Sequence, residues 1–349
     1  MKERVIFIDL LRITSIIAVV ILHVSAVRWY SIDVTSKNWL ILNIYDSAVR
    51  WCVPIFIMIS GIFFLNLDKQ INYKRLYGKY ILRIVLVLII TSFFYYFFMG
   101  VIEGNEINIE FIKNTVLLFL QGEVRYHLWF MYVIIGLYIL TPILRGIIKG
   151  SEKEDIEYFI LIGIILCSLV PLLSNFNSLN RVLAFVDKFN IPMGYFIYFI
   201  SGYYFFYYDI KGIKKIIIYL AGIISFIFTV ISTLCLSIIR GYPQTIFYEY
   251  LTLNVMFMSF SVFLFFKQYV SKIKIKKKLK NKIVLLSNLS FTIYLIHDAI
   301  MTLVLKSGLE GLLDRPVSGV LVLSVLIYLI SLLIALVIKK IYEILKILI

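Results

Sequence analysis

Charge is scarce in this sequence. Only 16% of its 349 residues are Asp, Glu, Lys or Arg, against 62% that are apolar. That is far more hydrophobic surface than one water-soluble core can bury. No polar segment is long enough for a separate soluble domain, and no collagen, coiled-coil or solenoid period is present. Cysteine is nearly missing: Cys52, Cys167 and Cys235 stand singly inside apolar runs, without CxxC spacing. This argues against a redox motif and leaves all three as small core residues. Histidine is equally sparse, with only His23, His127 and His297. Three imidazoles can hold zinc with an open fourth position, but no His-x-x-x-His pair occurs, so no metal is expected.

What the chain has in quantity is apolar runs of near-membrane length, recurring from Val5 almost to the C-terminus. They predict an all-α fold, a polytopic transmembrane helical bundle of about ten helices in a single domain over residues 1–349. The expected spans are Val5–Val27, Val49–Leu67, Tyr80–Val101, His127–Leu144, Tyr158–Ser174, Ile191–Tyr208, Ile216–Ile238, Tyr248–Phe266, Ile283–Leu305 and Val317–Ile338. Ile109–Gln121 is too short to cross and reads as an interfacial or re-entrant helix on the outer face.

A formal charge of +15 suggests nucleic acid in a soluble protein, so the placement of the basic residues decides. They gather between every second pair of spans: Lys2 and Arg4; Lys69, Lys74, Arg75, Lys79 and Arg83; Arg145, Lys149 and Lys153; Lys211, Lys214 and Lys215; eight lysines from Lys267 to Lys282; and Lys339, Lys340 and Lys346. The segments between hold fewer, among them Arg28, Lys37, Arg50, Arg125, Arg181 and Lys188. This is the positive-inside pattern. It predicts a multi-pass protein of the cell membrane with N- and C-termini cytoplasmic, and no nucleic-acid partner. Lys272–Lys282 reads first as a topology determinant, and its charge also suits anionic lipid headgroups. Trp39 and Trp129 fall near expected outer interfaces, where aromatic belts form. The alternative, that Met1–Ala26 is a cleaved signal peptide, is opposed by Asp9 and Arg12.

Ionisable residues inside a bilayer cost several kcal/mol unless they meet a partner or a wet cavity, so they are the functional candidates. The first span carries Asp9, Arg12 and His23. Eleven positions at 100° come to about 1100°, three turns plus about 20°, so Arg12 and His23 share a face about 16 Å apart along the axis. Asp9 precedes Arg12 by three and can pair with it. The bland alternative has Asp9 and Arg12 snorkelling to the inner interface, with His23 capped by a neighbouring helix. The topology places all three histidines in the outer half of the membrane, where a common site is conceivable. In Pro54–Phe64, PIFIMISGIFF, proline loosens the helix, while Ser60 and Gly61 let a backbone or ligand approach.

Four segments together resemble the acyltransferase-3 family, membrane enzymes that move acyl groups, usually acetyl, onto surface glycans. RVIFIDLLRITSIIAVVILHV (Arg4–Val24) places Arg12 and His23 with the family's ten intervening residues. PIFIMISGIFF resembles its Ser-Gly segment. HLWFMYVIIGLYILTPIL (His127–Leu144) is similar to its His-Leu-Trp-Phe helix, and NLSFTIYLIHDAI (Asn288–Ile300) to its Ser-x-x-x-Tyr-Leu-x-His segment, here Ser290, Tyr294 and His297. The resemblance spans essentially the whole chain. Many members carry paired arginines in the first long cytoplasmic loop, whereas this one offers Arg75, Lys79 and Arg83. No soluble catalytic domain follows the last span, so the membrane domain itself is expected to present the acyl group.

The resemblance implies an O-acetyltransferase that takes acetyl from cytoplasmic acetyl-CoA to a hydroxyl of an extracytoplasmic or lipid-linked glycan. Acyl-CoA, the glycan and the bilayer are then its partners, with no bound cofactor. Arg12, helped by Lys79 or Arg83, would hold donor phosphate or a carbonyl oxygen. His23 would act as general base, or as a transient acyl carrier. Arg125, His127, Tyr294 or backbone near Gly61 would stabilise developing charge. Asp9, Ser60 and His297 complete the candidate substrate-binding set. The alternative class is a transporter or flippase of a glycan or small solute, whose pathway the same charges would line. No pair of inverted, Gly-interrupted half-helices supports it. A scaffold without a ligand leaves Arg12 and His23 unexplained.

Overall fold

The computed structural model describes residues 4–104, 109–171 and 194–348. In chain order its main helices are α1 (Ile6–Ala26), α2 (Lys37–Val49), α3 (Cys52–Phe64), α4 (Tyr73–Glu103, with a π-helical turn at Leu76–Ile81), α5 (Ile109–Gln121), α6 (Trp129–Lys149), α7 (Lys153–Ile164), α8 (Tyr195–Tyr207), α9 (Gly212–Arg240), α10 (Leu253–Gln268), α11 (Lys277–Lys306) and α12 (Pro316–Leu348). No strand occurs among the described residues. Eight stretches there are long and apolar enough to cross a bilayer, and each overlaps an expected span. The other two expected spans, Tyr158–Ser174 and Ile191–Tyr208, run into residues outside the described ones, where Glu106, Arg181 and Lys188 also lie. Ile109–Gln121 is a helix of 13 residues, the short element expected there.

The second span departs from expectation. It begins at Lys37, not Val49, and breaks at Arg50 and Trp51. Pro54 explains the break, because a proline ring clashes with the carbonyl four residues earlier, here that of Arg50, and is tolerated only in a first turn. The helix therefore restarts at Cys52 with Pro54 in that turn. The other end of α2 is capped by Ser36, whose Oγ accepts the amide of Trp39 at 3.2 Å.

The chain divides into two compact units, Met1–Ile59 with Phe159–Ile349, and Ser60–Tyr158. In the larger unit α1 packs against α2, α10, α11 and α12. Its start is tied by Arg4, which grips both oxygens of Asp9 at 2.7 and 2.8 Å and donates to Asn288 Oδ1 on α11 at 3.0 Å. Beyond its end, Arg28 pairs with Glu310, at 3.3 Å, and with Asp314. On α9 the polar side is inside: Ser225, Thr229, Thr233 and Ser237 are buried, while Ile224, Ile227, Ile231 and Ile238 are exposed. Asn254 of α10 donates to Thr229 Oγ1 at 2.8 Å and to the Phe247 carbonyl at 2.6 Å, the kind of interhelical bond that joins helices in lipid. Gly202 of α8 meets α3 backbone on backbone, so close that a Cβ there would sit 2.0 Å from the Met58 carbonyl oxygen.

Three expectations for this unit are corrected. Cys52 is buried, but Cys167 is half-buried and Cys235 exposed, because Cys235 follows Ile231 by four on the outward stripe of α9. Trp39 is core rather than interfacial, its ring tilted 32° against that of Trp29 at 4.4 Å, with its Nε1 donating to the Trp29 carbonyl at 3.1 Å. Arg50, expected in an outer connecting segment, is withdrawn into the unit. It pairs with Asp46 one turn earlier, itself 1% exposed, and lies 4.0 Å from the centre of the Tyr248 ring. The Tyr248 hydroxyl donates to Asn43 Oδ1 at 2.5 Å, so the buried charges sit in a polar network on three segments.

In the smaller unit, Phe64 stacks on Tyr138 at 3.8 Å and meets Tyr80 edge-on at 5.4 Å. Arg145 donates to the Phe64 carbonyl at 3.3 Å and to that of Lys69, closing the end of α3. Tyr132 holds α5 through the Phe119 carbonyl at 2.8 Å.

Two stability outcomes follow from these contacts. Gly202→Ala is expected to cost at least about 1–3 kcal/mol through overpacking, whereas Gly136→Ala on α6, with nothing within 4 Å of the new Cβ, loses none; thermal melting of both in lipid nanodiscs checks this. Asp46→Ala leaves Arg50 buried without its carboxylate and is expected to cost about 3–5 kcal/mol. The double change Asp46→Leu with Arg50→Met should recover most of that loss in the same melts.

Candidate active site

Two helices of the larger unit build the site. α1 runs without a break through Arg12 and His23, so the eleven-residue offset keeps both on one face, about 16 Å apart. Both side chains are half-buried. Along α11, Ser287, Ser290, Tyr294, His297, Met301 and Val304 recur at intervals of three and four and are all buried, so one stripe of that helix faces the bundle. α1 packs along α11, which brings His23 and His297 together with ring centroids 5.1 Å apart and planes 29° from parallel.

His297 is 0% exposed. Its Nδ1 lies 2.7 Å from the carbonyl oxygen of Tyr294. A carbonyl only accepts, so Nδ1 carries a proton, and in the neutral ring Nε2 holds the lone pair. The helix's own backbone thereby sets the tautomer. Tyr294 stacks on the same ring at 6.2 Å and continues to Phe291. Asp298, adjacent in sequence, is also 0% exposed. Two imidazoles in contact supply two basic nitrogens, so one can take a proton while the other orients a substrate group or returns a proton.

Asp9 is 3% exposed, and its carboxylate goes to Arg4, where sequence spacing had pointed to Arg12. Arg4 precedes the first turn, with Val5 extended at φ −84° and ψ 95°, so its side chain folds back over the helix start. There the carboxylate also complements the helix dipole.

The remaining expected residues belong to the smaller unit. Ser60 and Gly61 lie in the second half of α3. Lys79 sits in the π-helical turn and Arg83 just after it, both exposed. His127 is buried edge-on to Tyr95 at 5.0 Å, and the Arg125 guanidinium lies 5.2 Å from the Tyr126 ring and 5.9 Å from that of Tyr95. The larger unit thus joins two of the three histidines, together with Tyr294, and the smaller unit joins Arg125 with His127. Among the described residues no group of three His, Cys, Asp or Glu side chains is placed to hold a metal ion.

Sequence reasoning missed Asp298, Asp46 and the burial of Arg50. The i,i+4 spacing of Asp46 and Arg50 was the available signal, hidden because Lys37–Val49 falls below the apolar density of a typical span. Asp298 stood beside a residue already singled out.

No curated protein and no solved structure matches this chain significantly. The acyltransferase-3 family model, an acyltransferase domain, matches residues 5–339, nearly the entire length, and the chain belongs to that family of membrane acyltransferases.

Proposed function

We propose that this acyltransferase moves an acetyl group from acetyl-CoA to a hydroxyl of an extracytoplasmic or lipid-linked glycan, working in the cell membrane with both termini cytoplasmic. The observation that carries the reading is the His23–His297 contact, 5.1 Å between ring centroids, on the helix that holds Arg12 about 16 Å away on the same face. The charge asymmetry of the connecting segments supports the orientation. It puts Arg12 toward the donor's side and the histidine pair toward the acceptor's.

In this reading Arg12 binds a donor phosphate or carbonyl oxygen through charge-assisted hydrogen bonds. An imidazole of the pair takes the proton from the acceptor hydroxyl as its oxygen attacks the thioester carbon. The carbon–sulfur bond then breaks, the proton passes to the departing thiolate, and an ester and free CoA remain. The Tyr294 carbonyl holds His297 in one tautomer, so the reacting geometry is present before substrate arrives. Packing against Tyr294 and α1 excludes water, which protects the thioester from hydrolysis.

Transfer from radiolabelled acetyl-CoA, in membranes with equal amounts of inserted protein, tests the assignment. His23→Ala and His297→Ala are each expected to lower the rate by about 100-fold or more. Full activity in His23→Ala removes it as the base, and absence of label from every glycan and lipid-linked fraction with the unaltered chain overturns the acceptor class. Arg12→Ala is expected to raise the KM for acetyl-CoA by about tenfold, with a smaller change in kcat; an unchanged KM refutes its donor role.

A further inference from the structure

We propose that the larger unit has a separate binding cleft for a phosphate-bearing ligand, where the end of α8, the start of α9 and the end of α10 meet. The cleft, about 470 Å³, is lined by Asp209, Gly212, Gln268 and four lysines, Lys211, Lys215, Lys267 and Lys272. Asp209 is 70% exposed and divides its carboxylate between Lys211, at 3.6 Å, and Lys267, at 3.5 Å. One carboxylate against four ammonium groups leaves three positive charges.

The walls are held in place before any ligand arrives. Lys267 is only 17% exposed and donates to the Tyr208 carbonyl at 2.8 Å. Gln268 donates to the Ile210 carbonyl at 2.8 Å and accepts from the Tyr219 hydroxyl at 3.3 Å. Gly212 opens the 29-residue α9, and Lys211 places no side-chain cap on it, so the first amides and the positive end of the helix dipole add to the lysines. Across the turn Val270–Lys272 lies a second cleft of about 380 Å³ with Arg4 and Lys280. Arg4 is already engaged by Asp9, so the four-lysine cleft keeps the larger surplus of positive charge.

Converging ammonium groups beside helix-start amides select phosphate oxygens over hydroxyls or apolar groups. That chemistry has two sources: the headgroup of an acidic phospholipid, or a soluble phosphate ester such as the adenosine 3′,5′-bisphosphate portion of CoA. With a lipid headgroup the inference stands apart from the acetyl-transfer reading. With the CoA nucleotide it rests on that reading and leaves Arg12 the donor's carbonyl oxygen, and measuring binding without turnover keeps the failure of one distinguishable from the failure of the other.

The full chain in nanodiscs tests it, with adenosine 3′,5′-bisphosphate titrated calorimetrically in pure phosphatidylcholine and retention of phosphatidylglycerol from mixed discs followed by native mass spectrometry. Lys211→Gln with Lys215→Gln and Lys272→Gln, leaving the structural Lys267, is expected to weaken one of these ligands by about tenfold or more. The control Lys276→Gln with Lys277→Gln and Lys278→Gln, the same charge loss in the following exposed segment, should change it by less than about twofold. Loss of lipid alone or nucleotide alone identifies the source. Unaltered binding in the cleft variant, equal loss in both variants, or no binding of either probe by the unaltered chain overturns the proposal. If melting shows the cleft variant destabilised, Lys215→Glu alone gives the same reading by the same criteria.

Discussion

A polar group inside an apolar solvent has only the protein to turn to, and the larger unit is arranged around that constraint. α1 carries a carboxylate, a guanidinium and an imidazole through the bundle, and helices gather on it from several sides. Its two ends are fixed by different means: Arg4 clips its start to α11, and Arg28 clips its end to the segment between α11 and α12. Between these clips His23 meets His297. Held at one end by α11 and at the other by the segment that follows it, α1 cannot slide along α11 without breaking an ion pair or a charge-assisted bond, so the ring contact is registered by groups well removed from it.

The Asp46–Arg50 network extends the same logic to α2. Its charges lie where chain direction changes, between two helical pieces, and they take partners from the connection before α10 as well. The hydrophobic cluster of Trp29, Trp39, Leu42 and Tyr248 also includes Val24 of α1 and Ile300 and Met301 of α11. One turn beyond the histidines, the wall of the site is therefore aromatic and packed. Under the acetyl-transfer reading proposed above, this arrangement has a purpose, because a thioester needs a dry path.

Much of this was legible in the sequence because bilayer thickness translates directly into run length. Seven of the eight described spans, and the second half of the other, could be read from apolar runs, and the offset between Arg12 and His23 needed only helix geometry. The scarcity of histidine and the topology already singled out His297, but its contact with His23 joins positions 274 residues apart, and no local rule reaches that far. Failures came where two local rules competed. Pro54 read as a kink inside one span, whereas the clash it imposes ends one helix and starts another. Asp9 had Arg12 three residues ahead, and the spacing gave no sign that the extended start of the chain would bring Arg4 to the same carboxylate. Cys235 looked like core because apolar density is high all round α9, and only its register with the serine and threonine stripe separates outside from inside.

That stripe has a consequence for handling the protein. With hydroxyls turned inward and isoleucines outward, α9 is folded for lipid in a way that water would reverse: in an aqueous surround, the ordinary preference would roll it by half a turn. The helix thus has a solvent-dependent orientation written into its sequence. A micelle that admits water along the α9 surface weakens the reason for Thr229 to face Asn254, and the α9–α10 pairing would be among the first features to loosen on extraction, while the ion-pair clips on α1 still hold.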